Sequence, residues 1–257
     1  MIWALFLSVF AAEPVLSANG PSRVDWTSGL LITEISMVQN TVIWQDTRAT
    51  EKDGRRKLQA RLKEQALQLP ISGGLVASDI VSEWDQIGDA MTDGLEDGMG
   101  HWRVIETRYF TSGRVELVGA LSLTEWLRPY ASMVANGPSD APNEKMNSSG
   151  IVVDARHLDL TPSYAPRLLD ENRKVVFDLS ALSKQVAANT MPVLWVQDPA
   201  DVDVIKRVGD SPALMVAEDV ERDHDVVLTS RDAARFRLLA GGTSLLQSAP
   251  VVIVVSP

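Results

Sequence analysis

The run Val251-Val252-Ile253-Val254-Val255 constrains this chain more than any other stretch. A strand with one wet face alternates apolar and polar side chains, and a surface helix keeps a polar side. Five β-branched aliphatics in succession fit neither pattern, so the run predicts a central strand buried on both faces. The residues before it read as the rest of a sheet. Strands are expected at 150–154, 193–196, 213–220 and 225–228, where β-branched and apolar residues cluster between turn formers. Leu168-Leu169 and 174–177 flank Asp170-Glu171-Asn172-Arg173 as a hairpin. Helices are expected at 180–188, at 199–208 with Pro199 in the first turn, and at 230–240. The last of these starts from Thr229 or Ser230 as N-cap and stops at Gly241-Gly242.

Upstream, 134–149 holds turn formers and almost no large apolar side chain, which makes it the expected linker between an N-terminal domain, 24–133, and a C-terminal domain, 150–257. In the N-terminal part, 13–23 reads as an unstructured lead-in and 24–44 as one or two strands. Over 46–69, Leu58, Leu62, Ala66 and Leu69 recur at helical spacing, and Pro70 ends the helix. Gly54 weakens its first half by up to ~1 kcal/mol relative to Ala. A second helix is expected from Ser78 or Asp79 to residue 95, with Ile80, Trp84, Ile87 and Met91 on one face. Two extended runs, 102–110 and 114–121, joined by Thr111-Ser112-Gly113, form the clearest hairpin signal, with Gly113 available for the left-handed position. A short helix over 124–133 is limited by Pro129. The expected class is α+β: two small modules, each a mixed or antiparallel sheet with helices on one face.

The 257 residues are 45% hydrophobic, enough for a sizeable core, and the net charge of −10 argues against phosphate-backbone binding and against adhesion to anionic lipid. No cysteine is present, which excludes disulfides, thiolate nucleophiles and a Cys-linked lipid anchor. Met1–Ala12 is apolar and uncharged, of the length of a signal peptide's h-region and too short to span a bilayer as a helix. Small residues suit cleavage after Ala11 or after Ala18, giving residues 1–18 as the candidate signal peptide. The competing reading is a buried N-terminal strand or helix. No other stretch approaches the length of a transmembrane helix.

Catalytic constellations are not legible. His101, His157 and His224 lie in separate segments without metal-ligand spacing. Ser72-Gly73-Gly74 and Gly241-Gly242-Thr243 lack a phosphate-cradling ending, and no nucleophile elbow occurs. Glu218, Asp219, Asp223 and Asp225 crowd one turn and are the only metal candidates, but a solvated hairpin turn is the favoured explanation for them and the spacing is not that of an EF-hand, so no metal is expected. Asp85, Asp89 and Asp93 share one helix face. Asp154 and Arg156 are expected to pair with Arg167 and Asp170. Trp84 and Trp102 are expected in the core, Trp126 and Trp195 partly exposed. No cofactor is expected.

The order Gly150-Ile151-Val152-Val153-Asp154-Ala155-Arg156, Ala165-Pro166-Arg167-Leu168-Leu169-Asp170-Glu171, Asp225-Val226-Val227-Leu228-Thr229-Ser230-Arg231-Asp232-Ala233-Ala234-Arg235 and a closing valine-rich strand resembles the bacterial twenty-kilodalton lipoprotein family, which includes the flagellar assembly lipoprotein FlgP. The basic helix before Leu69-Pro70-Ile71 and the run Trp102–Phe110 before a hairpin are similar to it more loosely. The resemblance implies a non-enzymatic cell-envelope protein, periplasmic or outer-membrane-associated, whose flagellar relatives build rings or disks. The acylated cysteine of those lipoproteins is missing here, so attachment would run through protein contacts. The expected function is therefore structural or assembly, as a homo-oligomer or with other envelope proteins, and not enzymatic. The alternative is a periplasmic ligand- or divalent-ion-binding module. The expected assembly edge is the hairpin at Thr111, Arg114, Val115 and Leu117, by strand addition.

Overall fold

The computed structural model describes residues 13–19, 22–38, 47–96, 102–138, 149–241 and 251–256. Met1–Ala12, His101, most of the expected linker and Gly242-Thr243 lie outside them.

The N-terminal half is built on strands β1 (Leu16–Asn19), β2 (Ser22–Asp25) and β3 (Leu30–Val38), followed by helix α1 (Thr47–Leu67). A small hairpin, β4 (Pro70–Ser72) and β5 (Leu75–Val76), leads into α2 (Ala77–Glu83) and α3 (Asp85–Glu96). Then come β6 (Trp102–Tyr109), β7 (Arg114–Ser122), α4 (Leu123–Trp126) and α5 (Arg128–Val134). The five-stranded sheet runs β1-β2-β3-β7-β6 and is antiparallel throughout. The C-terminal half contains β8 (Ile151–Asp154), β9 (Leu168–Leu169), β10 (Val175–Phe177), α6 (Lys184–Asn189), β11 (Leu194–Val196) and α7 (Val202–Val208). It continues with β12 (Ala213–Glu221), β13 (Asp225–Leu228), α8 (Ser230–Gly241) and β14 (Val251–Val254). Its mixed seven-stranded sheet runs β10-β9-β13-β12-β8-β14-β11. The chain is thus α+β.

Strand β14 lies between β8 and β11, parallel to both and buried along its length, as its unbroken apolar run requires. Its side chains alternate between two clusters. Val251 and Ile253 join the main core with Ile151, Val153 and Trp195. Val252 and Val254 face the other way, against Val152, Val196, Val204 and Val208. The second face is therefore covered by α7, which adds to the one-face arrangement expected for this sheet. The main core runs through both halves: Trp26, Leu58, Leu117 and Trp126 belong to the same apolar cluster as Tyr164, Met215 and Phe236.

Several local expectations are corrected. The turn-rich lead-in at 13–23 is an edge hairpin, because main-chain pairing of β1 with β2 and burial of Val15 outweigh its composition. The expected helix from Ser78 or Asp79 breaks at Trp84, which leaves helical backbone and packs its ring, tilted, against Tyr130 with centroids 5.5 Å apart. Asp79 caps it from inside the first turn, its carboxylate accepting the Val76 N–H at 3.0 Å. Pro199 precedes α7, and Asp201 caps it instead, accepting from the Asp203 N–H at 2.9 Å. The tryptophans are inverted: Trp126 and Trp195 are 1% and 0% exposed, while Trp84 and Trp102 sit half-buried at the core's margin. Each buried indole donates to a distant carbonyl, Trp126 to Met91 and Trp195 to Ser163, and so loses nothing by leaving water.

Gly54, a weak helix former by propensity, has a packing reason. A Cβ built there would stand 2.7 Å from Leu117 Cδ1, so any side chain at this position would require the buried Leu117 side chain to shift. Gly54→Leu is expected to lower stability by roughly 1–3 kcal/mol through overpacking, despite its better helix propensity. Chemical denaturation with an unchanged m-value would show it, and a stability gain would refute the close-packing account.

Candidate functional site

The acidic turn singled out in the sequence is where the two halves meet. Asp225, the first residue of β13, is fully buried. Its carboxylate accepts the Arg167 main-chain N–H at 2.8 Å, the Arg167 Nε–H at 2.8 Å and a second guanidinium N–H. It also accepts the Gly73 N–H at 3.3 Å, from the tip of the β4–β5 hairpin. Arg222 donates to the Gly73 carbonyl at 2.9 Å. A Cβ on Gly73 would stand 2.5 Å from the Arg167 guanidinium, so the hairpin tip is clamped with no room for a side chain. Beside the clamp, the Tyr164 and Ala165 N–H groups donate to the Pro70 and Ile71 carbonyls at 3.0 and 2.8 Å, a short ladder between the halves. Asn136 and Gly137 donate likewise to Ser180 and Leu182. Tyr164 is fully buried with no hydroxyl partner among the described residues, and burial pushes its ionisation well above the ordinary tyrosine range.

The four metal candidates do not converge. Arg222 and Asp223 both adopt positive φ, 52° and 65°, which fans the acids apart. Asp225 points inward to Arg167. Asp219 points outward to Arg173 at 2.7 Å, and its ionisation is held below the usual carboxylate range, first by the Val220 N–H and then by Arg173. Glu218 is exposed on β12. The Asp223 carbonyl accepts the Thr161 N–H, and His224 Nδ1 lies 3.0 Å from the Thr161 carbonyl. Among the described residues, no three His, Asp or Glu side chains are placed to hold one metal ion. Both arginines that neutralise the acids come from the segment between β8 and β10, a connection that spacing within the turn does not reveal.

The remaining acids are placed differently from expectation as well. Asp154 pairs with its own neighbour Arg156, and Asp170 pairs with Arg237 of α8 at 2.6 Å. Arg237 holds Asp170 below the usual carboxylate range. Glu171 accepts the Ser230 N–H and hydroxyl at the start of α8. Asp85, Asp89 and Asp93 are all solvent-facing on α3.

The assembly edge also moves. Arg114, Val115 and Leu117 lie on β7, which is hydrogen-bonded to β3 on one side and β6 on the other. Val115 and Leu117 are buried, Arg114 stacks on Phe110 with its guanidinium 3.9 Å from the ring centre, and Thr111 is exposed in the turn. The free edge is β6, with a bulge at Ile105 and the exposed charges Arg103, Glu106 and Arg108. Bulges and edge charges discourage strand addition.

A surface that sequence reading missed lies on the C-terminal sheet. Residues 213–217 of β12 alternate strictly: Ala213, Met215 and Ala217 enter the main core, while Leu214 and Val216 are 65% and 53% exposed. Across a groove of about 210 Å³, α7 turns Val202 and Ile205 outward, 60% and 51% exposed. Val152 and Pro212 line the same groove. The open stretch of β12 main chain is covered by α8: Arg235 donates to the Leu214 carbonyl at 2.9 Å, and Asp232 accepts the Val216 N–H at 3.2 Å. Side chains protect the backbone there while the aliphatic groups stay bare. Apolar residues in succession hide such an alternation until the sheet order is known.

The fold and this junction define an α+β protein with two large sheets and a small hairpin, whose halves are clamped together. Residues 150–257 match the family model described as the second domain of Treponema pallidum Tp0624, and so are similar to that domain. No curated protein sequence matches the chain.

Proposed function

We propose that this chain is a non-enzymatic structural or assembly protein of the cell envelope, exported to the periplasm and working as a homo-oligomer. The observation that carries this reading is the set of aliphatic side chains Val202 and Ile205 of α7 and Leu214 and Val216 of β12, each more than half exposed, with Ile205 and Leu214 lining one groove between helix and strand. Contiguous bare aliphatic groups on a folded domain mark association surfaces. Export is supported by the apolar, uncharged run Met1–Ala12. A role in a ring or disk of a flagellar motor rests on the family resemblance alone. Among the described residues no helix is long and apolar enough to cross a membrane.

Light scattering on the purified protein is expected to show a species larger than the monomer. The pair Ile205→Glu and Leu214→Glu is expected to dissociate it while leaving the thermal melt nearly unchanged, because both side chains already face water. Losing two apolar contacts at about 1.5 kcal/mol or more each corresponds to at least a hundredfold weaker association. A strict monomer at high concentration, with no envelope protein recovered by crosslinking, would overturn the proposal.

A further inference from the structure

Strand β3 is covered on one side along its whole length and on the other only in part. It pairs with β7 from Leu30 to Val38 with no shift of register. On the opposite side β2 reaches only to Thr33, which faces Ser22. Among the described residues, no strand or turn bonds to the main chain of residues 34–38 on that side. Alternate residues of a strand turn their N–H and C=O groups to the same side, so this stretch leaves a row of them open over about 17 Å. It also lacks the bulge that guards β6.

Helix α1 turns this open stretch into a groove. A space of about 610 Å³ lies between them, lined by residues 34–37 and by Lys57, Ala60, Arg61 and Glu64. The four α1 positions recur at helical spacing and form one face. Along the floor, Ile35 packs against the main core, and Met37 lies beside Gly54. The helix rim is basic. Seven of the 21 residues of α1 are Lys or Arg and three are Asp or Glu, on a chain of net charge −10. Lys57 is already paired with Asp53 at 3.2 Å, and Glu34 lies 3.6 Å from Arg108. Arg61 is exposed and has no carboxylate partner among the described residues. Leu62 lies beside Gly119, the partner of Thr33, so Glu64 stands toward the β2 end of the groove, away from Met37.

We propose that the groove between β3 and α1 takes an extended acidic peptide segment, added as a strand beside residues 34–38. Its main chain bonds to the open groups of β3. On the face toward α1 it sets an apolar side chain over Ile35 and Met37 and, two residues away, a carboxylate on Arg61. Glu64 disfavours a second acid at the β2 end. A second copy of this chain fits less well. Antiparallel pairing of two such edges would bring both α1 helices together on one face of the joined sheet, with like charge against like. This site is separate from the aliphatic surface on α7 and β12 and stands or falls without it.

The test measures binding of a fluorescein-labelled peptide, Ser-Thr-Ile-Thr-Glu-Thr-Ser, to the full chain by fluorescence anisotropy. Saturable binding is expected. It should be about tenfold weaker when Lys replaces the peptide's Glu, and lost when the peptide's main-chain amides are N-methylated. Alternate amides within 34–38 are expected to exchange quickly in the free protein and slowly with the peptide bound. Arg61→Glu should weaken the Glu peptide about tenfold and favour the Lys peptide, and Ala60→Phe should block both. Both side chains face water, so the thermal melts should not move. No binding at millimolar peptide, binding that survives N-methylation, or equal affinity for the Glu and Lys peptides overturns the proposal. So does slow exchange throughout 34–38 in the protein alone, which would mean that the edge is already filled by its own chain or by a second copy.

Discussion

Replacing Asp225 with alanine is expected to destabilise the protein by about 3 kcal/mol, a fall in melting temperature of roughly 6–12 °C for a chain of this size. The substitution strands the Arg167 guanidinium and the Gly73 N–H together, because both depend on the same buried carboxylate. Removing one partner of a fully buried ion pair costs about 3–5 kcal/mol. The lower end applies here, since the Arg167 side chain is 29% exposed and can take water in place of its partner. The loss is expected to be non-additive with Arg167→Met. The double variant, lacking both charges, should recover part of the stability that Asp225→Ala loses. Amide exchange at Gly73, Tyr164 and Ala165 should speed up before exchange in the β8–β14 pair does, since the clamp closes that seam. A melt unchanged within about 2 °C would mean that the halves are held by apolar contact alone.

What was legible from the sequence follows from range. The buried strand at Val251–Val255, the amphipathic helix through Leu58 and Leu62 and the hairpin at Thr111–Gly113 are local patterns, and each stands in the structure. What was not legible depends on partners far away along the chain. Asp225 reads as one acid among several in a turn until Arg167, 58 positions earlier, is brought onto it. Nothing beside Trp126 or Trp195 in the sequence shows where their indole N–H groups go; the acceptors are the carbonyls of Met91 and Ser163, 35 and 32 positions away. Val115 and Leu117 form a persuasive hairpin strand, but only the pairing of β7 with β3 shows that the strand is central and has no edge to offer. The exposed aliphatics are the converse case. Leu214 and Val216 read as core by composition, and they are bare because α7 covers β14 and β11 and stops short of β12.

Trp195→Ala is expected to cost about 3–5 kcal/mol. The indole is fully buried at the edge of the C-terminal sheet, in the apolar cluster that also holds Trp26, Leu31 and Ile253. Truncation leaves a void in the close-packed core that the surroundings can close only in part. It also removes the donor to the Ser163 carbonyl, which lies one residue from the ladder joining Tyr164 to Pro70. The Trp195 main chain is unaffected, and its carbonyl still accepts the Thr27 hydroxyl at 2.9 Å. The edge of β11 should therefore stay covered while the core behind it loosens. Trp195→Phe separates the two contributions: it restores most of the volume but not the N–H, and should lose roughly 1–2 kcal/mol. Equilibrium denaturation of both variants decides the matter. A phenylalanine variant as unstable as the alanine one would assign the loss to the hydrogen bond, whereas one close to wild type would assign it to the void.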